Sequence, residues 1–147
     1  MPEVSVVLDT HILIEAILQK NNEYERAYNS MIERHHKLLI SQRILKQYQT
    51  IIHQKYNLSA IFLLRMLQEL DDTYHIVIRV GEGRIRPVKI TGLQINDRPF
   101  VELACNRANF LVTNDPGLRS KHREFIEKCK FKVKYAVDYA ENEEENL

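Results

Sequence analysis

Three short apolar runs, each stopped by an oxygen-bearing side chain, constrain this chain more than any other feature. Residues 4–8 (VSVVL) end at Asp9, residues 38–40 (LLI) at Ser41, and residues 110–112 (FLV) at Thr113-Asn114-Asp115. Apolar runs of this length read as strands buried on both faces. Helical spacing fills the intervals. It covers residues 12–19 and 23–35, then the stripe Ile44, Leu45, Tyr48, Ile51, Ile52, then Ile61, Leu64, Leu67, Leu70, and later Phe100, Val101, Leu103, Ala104, Ala108. Ser41 and Ser59 stand at N-cap positions, and Pro99 suits the first turn of the helix opened by Asp97. Residues 75–80 and 85–91 read as strands around a turn at 81–84, residues 118–129 as a helix and 131–137 as a last strand. This alternation predicts an α/β fold with a mostly parallel central sheet.

Several classes are excluded. No apolar run reaches the roughly 18 residues of a membrane helix, and no basic n-region precedes the first strand, so neither an anchor nor a signal peptide is expected. Cys105 and Cys129 match no zinc spacing and are too few for a disulfide scaffold, so two reduced thiols in a cytoplasmic protein are expected. No phosphate-binding glycine loop is present.

The net charge of +1, from 21 Lys and Arg against 20 Asp and Glu, hides an uneven distribution. Residues 138–147 hold five of the acids and no base, and are expected to form a disordered tail. Residues 1–137, expected to form a single domain, therefore carry 21 bases against 15 acids, a net +6. Seven of those bases fall between Arg119 and Lys134. A run of this kind is usually a solvated face. Directly after Asp115 it is also where a phosphate backbone would be held, with Arg119, Lys121 and Arg123 as the nearest candidates.

In a parallel sheet all strand C-termini share one edge, where ligands bind. Asp9 and Asp115 meet there. Asp97 is spaced i, i+4, i+7 with Val101 and Ala104, which turns it inward. Three converging carboxylates repel one another and call for a hard divalent cation, Mg²⁺ or Mn²⁺. Each aspartate also has a plainer reading: Asp9 and Asp97 as helix N-caps, Asp115 before Pro116-Gly117 as a turn residue.

Three segments together carry a family resemblance: residues 6–18 (VVLDTHILIEAIL), 39–52 (LISQRILKQYQTII) and 90–118 (ITGLQINDRPFVELACNRANFLVTNDPGL). In order and spacing the chain resembles the PIN-domain nucleases, the fold of VapC-type toxins, to about residue 135. The resemblance implies a three-layer α/β/α fold and four acids around one or two metals that cut RNA. It implies an antitoxin partner and, commonly, a homodimer, for which the tyrosines at 24 and 28 are candidates; packing on the sheet is their alternative. Asp9, Asp97 and Asp115 match the first, third and fourth acids. Gln47 stands where the second would be, and His11 replaces an asparagine in an Asp-Thr-Asn pattern.

Gln47 interrupts the stripe between Ile44 and Ile51, and a polar group there needs a partner, either at the site or at the core edge. His11 hydrogen-bonds Asp9 or a phosphate, or is simply packed or exposed. Glu15 is the better substitute for the missing acid, because Glu102 lies five residues after Asp97 and is expected to face solvent. Thr10, Thr113 and Asn114 support the carboxylates. Two functions follow: a Mg²⁺- or Mn²⁺-dependent endoribonuclease, or a weakened PIN domain that binds RNA or protein.

Overall fold

The computed structural model describes residues 3–141. Its elements run β1 (Ser5–Leu8), α1 (Thr10–Leu18), α2 (Asn22–Glu33), β2 (Lys37–Ile40), α3 (Gln42–Tyr56), α4 (Ala60–Tyr74) and β3 (Val77–Arg79). They continue with α5 (Arg98–Arg107), β4 (Phe110–Val112), α6 (Pro116–Arg119), α7 (His122–Cys129), β5 (Lys132–Lys134) and α8 (Ala136–Glu141). The strands form one five-stranded sheet in the order β3-β2-β1-β4-β5, every pair parallel. Chain order runs outward from β1 in one direction, then jumps to β4 and runs outward in the other. Right-handed crossovers therefore place α1–α4 on one face and α5–α7 on the other, giving three α/β/α layers.

The apolar runs form the middle of the core. Val6, Val7, Leu8, Leu38, Leu111 and Val112 are all fully buried. Of the two expected N-caps, Ser41 accepts through its hydroxyl from the Ile44 N–H at 3.3 Å, whereas Ser59 stands at the N-cap position of α4 with no side-chain cap bond. Asn21, not expected as a cap, accepts from the N–H groups of Glu23 and Tyr24. Tyr48, fully buried, donates its hydroxyl to the Leu8 carbonyl at 2.6 Å, which ties α3 to the end of β1. Tyr24 and Tyr28 are half-buried and pack against the core. Among the described residues no helix is long and apolar enough to cross a membrane.

Several expectations need correction. Residues 85–91 form no strand, because their backbone groups bond to side chains instead of a ladder. Arg86 exchanges two hydrogen bonds with the Asn106 amide, and the Val88 N–H donates to Glu102. Glu102 does not face solvent. It is buried and ion-paired, Arg43 Nη2 standing 2.8 Å from one oxygen and Arg98 Nη1 3.4 Å from the other. The helix expected over 118–129 is two helices, α6 and α7, and the last strand is shorter, since α8 starts at Ala136. The boundary expected after residue 137 falls inside α8. Arg34 donates there to the carbonyls of Tyr139 and Ala140, and the rest of the acidic tail, 142–147, lies outside the described residues. The cysteines are not reduced thiols. Cys105 at the end of α5 and Cys129 at the end of α7 approach to a Cα separation of 4.7 Å and form a disulfide, because these two helices pack together.

Candidate active site

β1 lies between β2 and β4, where the strand order reverses, and ligands bind at such a point. The register brings Leu8 level with Val112, and the Asp9 N–H donates to the Val112 carbonyl at 3.0 Å. The two strands therefore deliver Asp9 and Thr113-Asn114-Asp115 side by side.

Asp9 is held at both oxygens. Its Oδ1 accepts from the Thr10 N–H at 2.8 Å and its Oδ2 from the Thr113 hydroxyl at 2.5 Å. Thr113 is fully buried, and its Oγ1 also accepts from the Asp115 N–H at 3.1 Å. One hydroxyl thus links the first and last carboxylates. Asp115 Oδ1 accepts from the Gly117 N–H at 2.8 Å and caps α6. The cap and turn readings of Asp9 and Asp115 are therefore realised, and both residues still line the pocket. Asp97 differs. It sits at the N-cap position of α5, yet its side chain caps no backbone N–H.

These carboxylates line one cavity of about 570 Å³ with Thr10, His11, Glu15, Gln47 and Asn114. Ile12, Tyr24, Ile51 and Asn96 complete the lining. Sequence reasoning did not place these four there, although Asn96 adjoins Asp97 and Ile51 follows Gln47 by one helical turn. Gln47 reaches the site edge, its Nε2 donating to the Asn96 carbonyl at 2.7 Å. His11 is 58% exposed and pairs with Glu15 at 3.2 Å, and Lys55 stands 3.7 Å from the same Glu15 oxygen. Asn114 bridges Tyr24 and the first N–H of α8.

The charge carries a cost. Burial, then Asp9 and Asp115, push the Asp97 carboxyl up to about 6. Burial also raises Asp9, against the lowering effect of its bonds to Thr113 and Thr10. The three aspartates offer only oxygens, which suits a hard divalent cation. Among the described residues, however, no group of three or more His, Cys, Asp or Glu side chains is arranged to hold a metal ion. Asp9 is occupied at both oxygens and Asp115 at one, so the pocket fits a cation that keeps part of its water shell better than an all-protein cage.

Arg119, Lys121 and Arg123 are outside this lining. Arg119 donates to the Val133 carbonyl at 2.7 Å and stacks on Tyr135, while Lys121 donates to the Thr91 carbonyl at 2.9 Å. Arg123 is exposed on α7.

The PIN domain family model matches residues 5–116, a span that holds every strand-end carboxylate of the pocket. The chain belongs to the PIN domain family. The crystal structure of VapBC2 from Rickettsia felis bound to a DNA fragment from its promoter shares the fold, with a TM-score of 0.51. Identity is 15%, and the match covers 90% of this chain and 98% of that one. No curated protein matches the sequence.

Proposed function

We propose that this PIN domain is a Mg²⁺- or Mn²⁺-dependent endoribonuclease of the toxin type, acting in the cytoplasm and carried by a single domain. The observation that supports this best is the convergence of Asp9, Asp97 and Asp115 on one pocket, with Asp97 left uncapped. PIN domains are generally nucleases. Asp9, Asp97 and Asp115 would hold the cation, directly or through its waters. A bound cation supplies the lowered water pKa and the phosphate charge neutralisation that hydrolysis needs. Thr10 and Thr113 orient Asp9, Thr113 holds the Asp115 backbone, and Gln47 fixes the segment before Asp97 through Asn96. Arg123 and its neighbours on the basic run would meet the RNA backbone.

The test is cleavage of RNA by the full chain with Mn²⁺ or Mg²⁺. Asp9→Asn and Asp115→Asn should each abolish it. An intact fold that cuts no RNA and shows no calorimetric cation binding would overturn the reading.

A second reading, a weakened PIN domain that binds RNA or protein, is favoured by one observation: a neutral amide, Gln47, lines the pocket where the family places an acid. If Gln47→Glu cuts RNA and the parent does not, the second reading holds. The similar Rickettsia felis structure is of a VapBC2 complex, which supports an antitoxin as this chain's partner; a homodimer is implied only by the family resemblance.

A further inference from the structure

A second cavity, of about 500 Å³, opens beside the acidic one and shares Gln47, Ile51 and Asn96 with it. That size is in the range of small-ligand sites, about 300–1,000 Å³. Arg43, Lys46, Thr50 and Gln54 form its wall, all on the exposed stripe of α3 opposite Ile44, Tyr48 and Ile52. Among the described residues no acid lines it, in contrast to its neighbour.

Arg43 is the telling member. Its Nε donates to Glu82 at 2.9 Å and its Nη2 to the buried Glu102 at 2.8 Å. Two carboxylates balance its charge and lock the guanidinium plane, while the side chain stays 43% exposed. A neutralised, fixed guanidinium is a weak phosphate clamp and a good flat surface for stacking a base. Lys46, exposed one helical turn on, offers the charge that Arg43 does not. The Thr50 hydroxyl donates to the Lys46 carbonyl at 2.9 Å, leaving its lone pairs as acceptors. Gln54 adds an exposed amide with donors and acceptors, the mixed pattern a base edge requires.

We propose that this cavity is a nucleobase subsite for single-stranded RNA. It would hold the nucleotide next to the phosphate seated over the carboxylates. Arg43 is the stacking plane, Gln54 and Thr50 read the base edge, and Lys46 holds a backbone phosphate. The proposal rests on the nuclease reading and adds that the bound strand is unpaired, since a base must leave its stack to enter. It also makes α3 the element that chooses the cut position.

The probe is a set of short single-stranded homo-oligonucleotides, each of one base, titrated onto the full chain in chelator and read by fluorescence anisotropy. The parent should prefer one base over the others and bind duplex RNA more weakly. Gln54→Ala should reduce that preference by about fivefold to tenfold, the size of one net hydrogen bond. Lys46→Ala should weaken all bases alike and lower the salt slope by about 0.7. Arg43→Lys keeps the charge, loses the plane and should weaken every base. Unchanged preference in Gln54→Ala and unchanged affinity in Arg43→Lys overturn the subsite, as does equal binding of duplex, or no binding at all. Parallel incubation of each protein with RNA and Mn²⁺ separates the two claims. Cleavage with unchanged sites in these variants leaves the nuclease standing and the subsite refuted. A base preference that follows Gln54 without any cleavage does the reverse.

Discussion

Asp97→Asn should make this protein more stable while removing its proposed activity. The Asp97 carboxyl is raised from 3.8 to about 6, by burial first and then by Asp9 and Asp115. The folded state therefore keeps a proton that the unfolded chain releases between about pH 3.8 and 6. Stability falls as pH rises through that window, and the whole loss is present at pH 7. At about 1.36 kcal/mol per unit the ceiling is about 3 kcal/mol. Asp97 is partly open to solvent, so screening reduces this to about 1–2 kcal/mol. Asparagine cannot ionise and escapes the loss, and because Asp97 caps no N–H, no hydrogen bond is sacrificed. The assay is urea unfolding in chelator at pH 7.5 and pH 3.5. At pH 7.5 the variant should gain about 1–2 kcal/mol, or roughly 2–8 °C in Tm. At pH 3.5 parent and variant should coincide. Added Mg²⁺ should raise the Tm of the parent more than that of the variant, since a ligand of the folded state stabilises by mass action. A variant less stable than the parent at pH 7.5, or a gain that persists at pH 3.5, would refute the reasoning.

Thr113→Val keeps the buried volume and removes the hydroxyl that serves both Asp9 and Asp115. Denaturant midpoints should show a loss of about 2–3 kcal/mol, and carboxyl NMR a further rise in the Asp9 pKa. Glu102→Gln breaks the buried pairing with Arg43 and Arg98; a loss of about 3 kcal/mol is expected, with faster amide exchange at Val88. Reduction of Cys105–Cys129, which closes a separation of 24 residues, should cost about 3 kcal/mol on the chain-entropy model. Cys105→Ser/Cys129→Ser should show the same loss without reductant.

Part of the fold and of the site is legible in the amino-acid sequence alone. The three apolar runs are β1, β2 and β4, because strands buried on both faces need nothing beyond their own apolar side chains. Their polar terminators locate Asp9 and Asp115, since a parallel ladder fixes which end of each strand meets the site. The segment 85–91 misleads because its Ile and Val suit a strand, while Asn106 and Glu102 satisfy its backbone from a distant helix. Glu102 misleads because helical period assigns one inward stripe, and α5 is buried continuously from Pro99 to Ala104. The disulfide depends on how two helices pack, which spacing along the chain does not encode. The second cavity is hidden for a related reason: it is built on the polar stripe of α3, which in isolation reads as solvent-facing.

The pairing of β1 with β4 also sets a timetable. Asp9 and its partner Thr113 are 104 positions apart. Ribosomes deliver the chain from the N-terminus, so β1, β2 and β3 can pair well before β4 exists. Until then the central strand shows an open edge of unpaired N–H and C=O groups flanked by mostly apolar side chains, the kind of edge that recruits a stray strand. Long-range parallel pairing is also slow to form. The same delay keeps the carboxylates apart, so the site comes into being only when nearly the whole domain has left the ribosome. On the proposed function, synthesis of the chain and assembly of its nuclease site are thereby separated in time.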